Sequence, residues 1–347
     1  MPIKDHIDNT LRINPEPTPL FKMILAAIAI TTPLIYGYYF NYLFVSMFGS
    51  LMGLVFYLND PFGPYLKRFK HLIVTFFFLK IALTMGAYSV GHDYIIIPVL
   101  FALSFLVGKS KTYGTDLERL LLFVTLQFLT ASSETIIKLE LKHLLFFTGL
   151  AFVNYLFWAS ILYKLTGHKV SAMVSKRETV KKIMTDNKSS YFPFVCALFS
   201  CTGYITARAL EFSHANWIVA TALIVMLPDS YQSIYKSIQR VVGTTAGVIL
   251  ATIVLIYVKD PRFLIAFVFV LSFLMPHGLS KNYWIGNVYI AAMIIFFLEI
   301  AAPHSIADHH LAYWRIVDIA IGCFIGILAA LVINPEILKK VTRKLGH

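Results

Sequence analysis

Three cationic side chains lie inside long apolar runs of this sequence. Lys80 stands in the middle of TFFFLKIALTMG, Arg208 lies in ITARALEF, and Arg315 lies in YWRIVDIAIG. Burying one charge in a bilayer costs at least ~2.5–3.5 kcal/mol on insertion scales, so each residue is a candidate functional group. The chemistry predicted for Lys80, Arg208 and Arg315 is binding of a small substrate carboxylate.

Acidic residues accompany these cations. Glu211 follows Arg208 by three positions and Asp318 follows Arg315 by three, so each pair shares a helix face. A desolvated carboxylate can carry a proton, and we predict Glu299, in FFLEIAAP, and Asp318 as proton-coupling acids. Simpler roles stay open: Lys80 pairing with an acid on another helix, Arg208 reaching lipid head groups, and Glu299 ending a helix.

Composition identifies the elements that carry these residues. Of 347 residues, 58% are hydrophobic and 14% are charged, whereas soluble domains average about 45–50% and about 25%. The sequence therefore predicts an all-α polytopic membrane protein of about twelve transmembrane helices. Several runs are shorter than the ~20 residues of a straight span, so ten or eleven crossings remain an alternative. The predicted spans are 20–38, 42–58, 72–90, 94–107, 120–136, 141–163, 191–210, 215–228, 241–258, 262–276, 283–302 and 311–333.

Orientation follows from the basic residues. With a cytoplasmic N-terminus, nearly all lysines and arginines outside the spans fall on the cytoplasmic side, and only Lys138, Lys259 and Arg262 lie opposite. This bias predicts that both termini are cytoplasmic. The net charge of +12 is explained by anionic lipid head groups, so no nucleic-acid partner is predicted.

The two halves resemble each other. YLKRFKHLIVT (65–75) aligns with IYKSIQRVVGT (234–244), and Asp60 falls on Asp229, each predicted to cap the helix that follows. Six spans per half is an even number, so the repeats should run parallel. The predicted organisation is a cytoplasmic tail 1–19, a first repeat 20–163, a basic linker 164–190, a second repeat 191–333 and a basic tail 334–347.

RVVGTTAG (240–247) combines an arginine with two glycines. It lacks the lysine of a phosphate-binding loop and enters an apolar helix. Gly243 and Gly247 have GxxxG spacing, which predicts a helix-packing face formed by Arg240, Gly243, Thr244 and Gly247. Arg240 is expected to anchor the helix at the cytoplasmic interface.

No metal or cofactor site is predicted. The three cysteines lie within apolar segments, and PHSIADHH (303–310) is interpreted as a polar loop because no helix or strand fixes its geometry. The acids and histidines are scattered over several helices, so catalytic residues and enzymatic activity are not expected.

LPDSYQSIYKSIQRVVGTTAG (227–247), followed by KNYWIGNVYIAAMIIFFLE (281–299), resembles the fusaric acid resistance and aromatic acid exporter (FUSC-like) superfamily. The match covers roughly 190–333, whereas the first half follows the pattern only loosely, with His71 and Val74 in place of the arginine and first glycine. The larger exporters carry an extensive cytoplasmic domain, which makes this chain resemble a compact member. The residues that carry the likeness are Arg240, Gly243, Thr244 and Gly247 in the first segment and Asn282 and Tyr283 in the second.

The resemblance implies export of small organic, often aromatic carboxylic, acids across a bacterial inner membrane. It also implies a periplasmic adaptor of the HlyD type, and the proton gradient is the expected energy source. Plant relatives act as organic-anion channels, so a channel is the alternative, and a non-transporting assembly subunit is another. The sequence leaves a homo-oligomer open.

Overall fold

The computed structural model describes residues 13, 17–112, 116–133, 141–166, 190–212, 215–301 and 310–336. These residues form twelve α-helices and no β-strand, which confirms the all-α class. The helices are α1 (Leu20–Tyr39), α2 (Leu43–Asn59), α3 (Tyr65–Tyr88), α4 (Asp93–Lys111), α5 (Asp116–Ala131), α6 (Leu141–Thr166), α7 (Tyr191–Ala209), α8 (Ala215–Val225), α9 (Ser230–Tyr257), α10 (Pro261–Lys281), α11 (Tyr283–Ala301) and α12 (His310–Ile333).

Each helix coincides with one predicted span, and eight of those described are long and apolar enough to cross a membrane. They are α1, α3, α4, α6, α9, α10, α11 and α12, whereas α2 and α8 are shorter apolar helices. The chain is therefore a polytopic membrane protein. The number of crossings, the cytoplasmic termini and the parallel repeats remain predictions.

Helices α3 and α9 begin earlier than predicted. They start at Tyr65 and Ser230, ahead of the predicted 72 and 241, because no proline or glycine interrupts YLKRFKH or SYQSIYKSIQR. The basic stretches that follow Asp60 and Asp229 are thus the first turns of long helices. This continuity carries Arg68 and Arg240 into helix contacts.

The structure divides into two compact units. The first comprises Met1–Phe76, Leu139–Ala172 and Gln239–Val317, and the second Phe77–Lys138, Met173–Ile238 and Asp318–His347. In the first unit α1 packs against α2, α6 and α10, and α11 packs against α10 and α2. In the second unit α7 packs against α4 and α8, and α5 also contacts α4 and α8. The predicted boundaries of the repeats stay a prediction.

Polar caps mark two helix starts. Asp229 accepts from the backbone N–H of Tyr231 at 2.9 Å at the start of α9, and Asp260 accepts from that of Arg262 at 2.8 Å in α10. The Arg262 side chain also bonds Asp260, and these bonds hold the pKa of that carboxyl below its ordinary value. The Arg262 side chain is 66% exposed, so this is a surface pair.

Several predicted features lie outside the described residues. They are most of the N-terminal tail, linker positions 167–189, tail positions 337–347 and most of the PHSIADHH loop.

Candidate functional site

An open polar cavity of about 570 Å³ lies in the second unit. The α3–α4 turn, the ends of α5 and α7 and the start of α8 surround it. The cavity is large enough for a small organic molecule. Its lining residues include Gly91, Asp93, Ser132, Ser133, Tyr204, Arg208, Glu211 and Asn216.

Arg208 supplies positive charge to this cavity. Its Nε lies 3.9 Å from Oδ2 of Asp93, beyond hydrogen-bond length, and the two side chains are 43% and 47% exposed. The Tyr204 hydroxyl donates to Asp93 Oδ1 at 3.0 Å and fixes the carboxylate in place. An accessible guanidinium can bind a carboxylate from solution.

The end of α7 positions Arg208 and Glu211. Glu211 N–H donates to the Arg208 carbonyl at 3.1 Å, and Phe212 N–H donates to the Ala207 carbonyl at 2.9 Å, the pair of bonds that defines a Schellman motif. Glu211 has φ of 57°, in the left-handed region where glycine is favoured. The tight turn places Arg208 and Glu211, both from the end of α7, in the cavity wall.

A second polar cluster lies between α9 and α11 in the first unit. Arg240 Nη1 donates to Asn287 Oδ1 at 2.7 Å and to the Tyr283 hydroxyl at 3.1 Å. Asn287 Nδ2 donates to the Arg240 carbonyl at 3.0 Å and to Thr244 Oγ1 at 2.8 Å. Arg240 is only 9% exposed, so it does not reach outward as the expected interfacial anchor. The amide and phenol of α11 hold it inside.

Two glycines allow this approach of α9 to α11. A Cβ on Gly243 would lie 2.5 Å from the Trp284 carbonyl oxygen, and one on Gly247 would collide with the Val288 carbonyl. Backbone therefore meets backbone at the GxxxG face, and only a residue without a side chain fits.

Arg68, Asp60 and Tyr155 form a buried charged cluster in the first unit. Arg68 Nε donates to Asp60 Oδ1 at 2.8 Å, and the Tyr155 hydroxyl donates to Asp60 Oδ2 at 2.6 Å. Asp60 also accepts from Phe62 N–H at 2.8 Å. All three cluster side chains are nearly inaccessible. The sequence predicts Asp60 as the cap of α3, and this prediction is wrong. Asp60 instead neutralises Arg68, which the sequence places on the cytoplasmic side outside the spans.

Lys111 was also missed by sequence reasoning. It ends α4, is buried, and its ammonium donates to the carbonyls of Leu223 at 2.5 Å and Met226 at 2.6 Å. These carbonyls lie at the C-terminal end of α8, where the helix dipole favours a cation.

The remaining predicted site residues lie in several places. Lys80 is half-buried along α3 in the second unit. Glu299 in α11 and Arg315 in α12 are buried in the first unit, and Asp318 is buried in the second. Of the predicted substrate and proton-coupling residues, only Arg208 lines the cavity.

The helices and their polar interior define an integral membrane protein. The family model described as "Fusaric acid resistance protein-like" matches residues 201–329, which confirms the predicted resemblance over this segment. The matched segment includes Arg240, Gly243, Gly247 and Asn287.

One curated relative is the "Uncharacterized membrane protein YvaC" of Bacillus subtilis (strain 168), 26% identical over 150 residues. The similarity covers 41% of this chain and 24% of the relative, so the chain matches only about a quarter of that protein's length. No solved structure matches the chain.

Proposed function

We propose that this protein is a secondary exporter of small organic acids, chiefly aromatic carboxylic acids, in a bacterial inner membrane. The observation that carries the proposal is the family match over residues 201–329, which contains the Arg240–Asn287 cluster. Transport also accounts for buried charge in an apolar helical protein, since binding an ionic substrate requires polar groups at membrane depth.

The open polar cavity around Arg208, called the outer cavity below, supports the proposal of an anionic substrate. By the predicted topology, the α3–α4 turn and the end of α7 face the periplasm, so the cavity is a release site. Arg208 contacts the departing carboxylate there, and Asp93 competes for the same guanidinium, which keeps the substrate from being held too tightly.

Proton coupling is assigned to Glu299 and Asp318. Both carboxyl groups are buried, and acidic side chains within membrane-spanning helices commonly form the proton relays of transporters. Proton entry through these two acids would be linked to substrate exit. Lys80 and Arg315 are proposed as further contacts for the carboxylate, and a HlyD-type periplasmic adaptor is the proposed partner.

Everted membrane vesicles provide the test. An acidic interior is generated by proton pumping, the membrane potential is clamped with valinomycin and potassium, and uptake of labelled 4-hydroxybenzoate is followed with the adaptor present. A proton-driven exporter accumulates the acid inside, although passive diffusion of the neutral form would drain it from an acidic compartment. An uncoupler should abolish the accumulation.

Two matched variants sharpen this experiment. Arg208→Gln should lower uptake about tenfold, whereas Arg262→Gln, the same change at a 66% exposed surface arginine, should leave it unchanged. Uptake that merely equilibrates, together with unitary currents independent of the proton gradient, would identify an organic-anion channel instead. No uptake of any of several aromatic acids would refute transport of this substrate class.

A further inference from the structure

One side of the Arg240 guanidinium makes no hydrogen bond to the residues that the structure describes. Both of its side-chain hydrogen bonds run from Nη1, to the Asn287 amide oxygen and the Tyr283 hydroxyl. Nε is buried and makes no hydrogen bond to the residues that the structure describes. The edge formed by Nε and Nη2 is one of those with which arginine binds a carboxylate through two parallel bonds.

Burying the positive charge of Arg240 is energetically unfavourable unless an anion binds beside it. Arginine stays protonated in proteins, and a charge that leaves water without a counter-ion carries a desolvation cost of several kcal/mol. Asn287 and Tyr283 are neutral partners that share the charge without cancelling it. Arg68, the other buried arginine of the first unit that has described bonds, is instead paired with a carboxylate, that of Asp60.

A second buried donor, on α11, also lacks an acceptor among the described residues. The indole Nε1 of Trp284 is buried without a hydrogen-bond partner among the described residues. Trp284 lies next to Tyr283, three residues before Asn287 on α11, and its carbonyl faces Gly243 of α9. Two buried donors on adjacent helices, neither with an acceptor among the described residues, indicate a further group that accepts hydrogen bonds.

We propose that Arg240 binds the carboxylate of a small aromatic acid, with Trp284 supplying a further donor. The substrate class rests on the proposed function, but the anion site rests on the geometry alone. Asn287 and Tyr283 hold Nη1 and thereby orient the unused edge, while Gly243 and Gly247 bring α9 close enough for these bonds to form. The GxxxG face thus positions a binding residue as well as packing two helices.

Direct binding tests the site without transport. Protein is reconstituted in phosphatidylcholine nanodiscs, in an Arg208→Gln background that removes the guanidinium of the outer cavity. Binding of labelled 4-hydroxybenzoate is measured by scintillation proximity. We expect saturable binding that benzoate displaces and uncharged benzamide does not. Arg240→Gln should raise Kd at least tenfold, and Arg240→Lys should restore it only in part.

Arg262→Gln is the matched control and should leave Kd unchanged, because its partner Asp260 and its exposure place it at the surface. Should Arg240→Gln fail to fold, Trp284→Phe decides, since it removes the indole N–H and keeps an aromatic ring. We expect Kd to rise about threefold or more at an unchanged melting temperature. Unchanged affinity in every folded variant would overturn the site.

A titration with anionic lipid distinguishes two ligands that carry the same charge. A phosphate head group could occupy Arg240, so the titration is repeated with phosphatidylglycerol in the nanodisc. Competition by this lipid with carboxylate binding retained in phosphatidylcholine supports the site, whereas Arg240-dependent lipid binding without carboxylate binding overturns it. Uptake in vesicles that survives Arg240→Gln overturns the site but leaves export standing. Arg240-dependent binding without any uptake would support the site and contradict export.

Discussion

Asn287 and Arg240 exchange hydrogen bonds across the contact between α9 and α11. Arg240 Nη1 donates to Asn287 Oδ1 at 2.7 Å, and Asn287 Nδ2 donates to the Arg240 carbonyl at 3.0 Å. The same amide donates to the Thr244 hydroxyl at 2.8 Å. A single asparagine side chain therefore fixes two successive turns of α9.

Replacing this asparagine with leucine should destabilise the protein. Asn287→Leu keeps a similar volume but removes all three bonds and leaves a buried guanidinium with one fewer acceptor. We expect a loss of about 2–3 kcal/mol, seen as a lower melting temperature in detergent. Thr244→Val removes one of the bonds and should have a smaller effect. Equal melting of Asn287→Leu and the parent would contradict a stabilising role for the amide.

The glycines of α9 give a second prediction. Gly247→Ala would drive a methyl group into the Val288 carbonyl, and Gly243→Ala one into the Trp284 carbonyl, so α9 and α11 must separate. Overpacking of this kind costs about 1–3 kcal/mol, and melting temperatures should fall.

Gly149→Ala is the control for these glycines. Gly149 lies within α6, and a Cβ there meets nothing within 4 Å. Alanine has a higher helix propensity than glycine by about 1 kcal/mol, so the melting temperature should stay or rise. Similar losses at positions 149 and 247 would show that the effect at Gly247 does not come from the close approach of α9 and α11.

The helices were predictable because each comes from an apolar run bounded by polar or turn-forming residues. The predicted starts of α3 and α9 are wrong because hydropathy set where each span begins. The backbone continues as a helix wherever no helix-breaking residue intervenes. Hydropathy therefore places the polar residues at 65–71 and 230–240 outside the spans.

The buried cations were not predictable from local sequence. Counting lysines and arginines assigned Arg68 and Lys111 to the cytoplasmic side, which treats each charge as solvated. The acceptor of Lys111 is the Leu223 carbonyl, 112 positions away, and the nearby pair of Asp60 and Arg68 is completed by the Tyr155 hydroxyl from α6. Only the tertiary fold brings these groups together.

The outer cavity was predictable in part. A cation at position 208 is visible as a charge in an apolar run. Its neighbour Asp93 lies 111 positions in the chain from Tyr204, whose hydroxyl orients the carboxylate. The local sequence around neither residue indicates this contact.

Breaking the buried pair of Asp60 and Arg68 should be costly. Asp60→Asn leaves the guanidinium without its carboxylate and removes an acceptor of the Tyr155 hydroxyl bond. Loss of one partner of a buried pair costs about 3–5 kcal/mol, so this variant should melt well below the parent. Asp60→Leu combined with Arg68→Met should recover part of the stability, because no uncompensated charge remains.

The exposed pair of Asp260 and Arg262 is the control for these variants. Asp260→Asn disrupts the bonds to Arg262 where both side chains contact solvent, and it should change the melting temperature far less. A double variant no more stable than Asp60→Asn alone would show that the pair contributes more than charge compensation.

Lys111 offers a test by chemical rescue. Lys111→Ala removes the ammonium that donates to the Leu223 and Met226 carbonyls, and buried acceptors without a donor cost about 1–3 kcal/mol. The vacated space lies against the negative end of the α8 dipole, so a small cation should bind there. Methylammonium should therefore raise the melting temperature of Lys111→Ala in a saturable manner and leave the parent unaffected.

Two further measurements make the rescue specific. Lys109→Ala alters a lysine of the same helix that is only half-buried, and its melting temperature should respond to methylammonium no more than that of the parent. Tetramethylammonium carries the same charge but has no N–H to donate, so it should fail to rescue Lys111→Ala. An equal response to both cations would mean that ionic strength, rather than hydrogen bonds to the α8 carbonyls, restores stability.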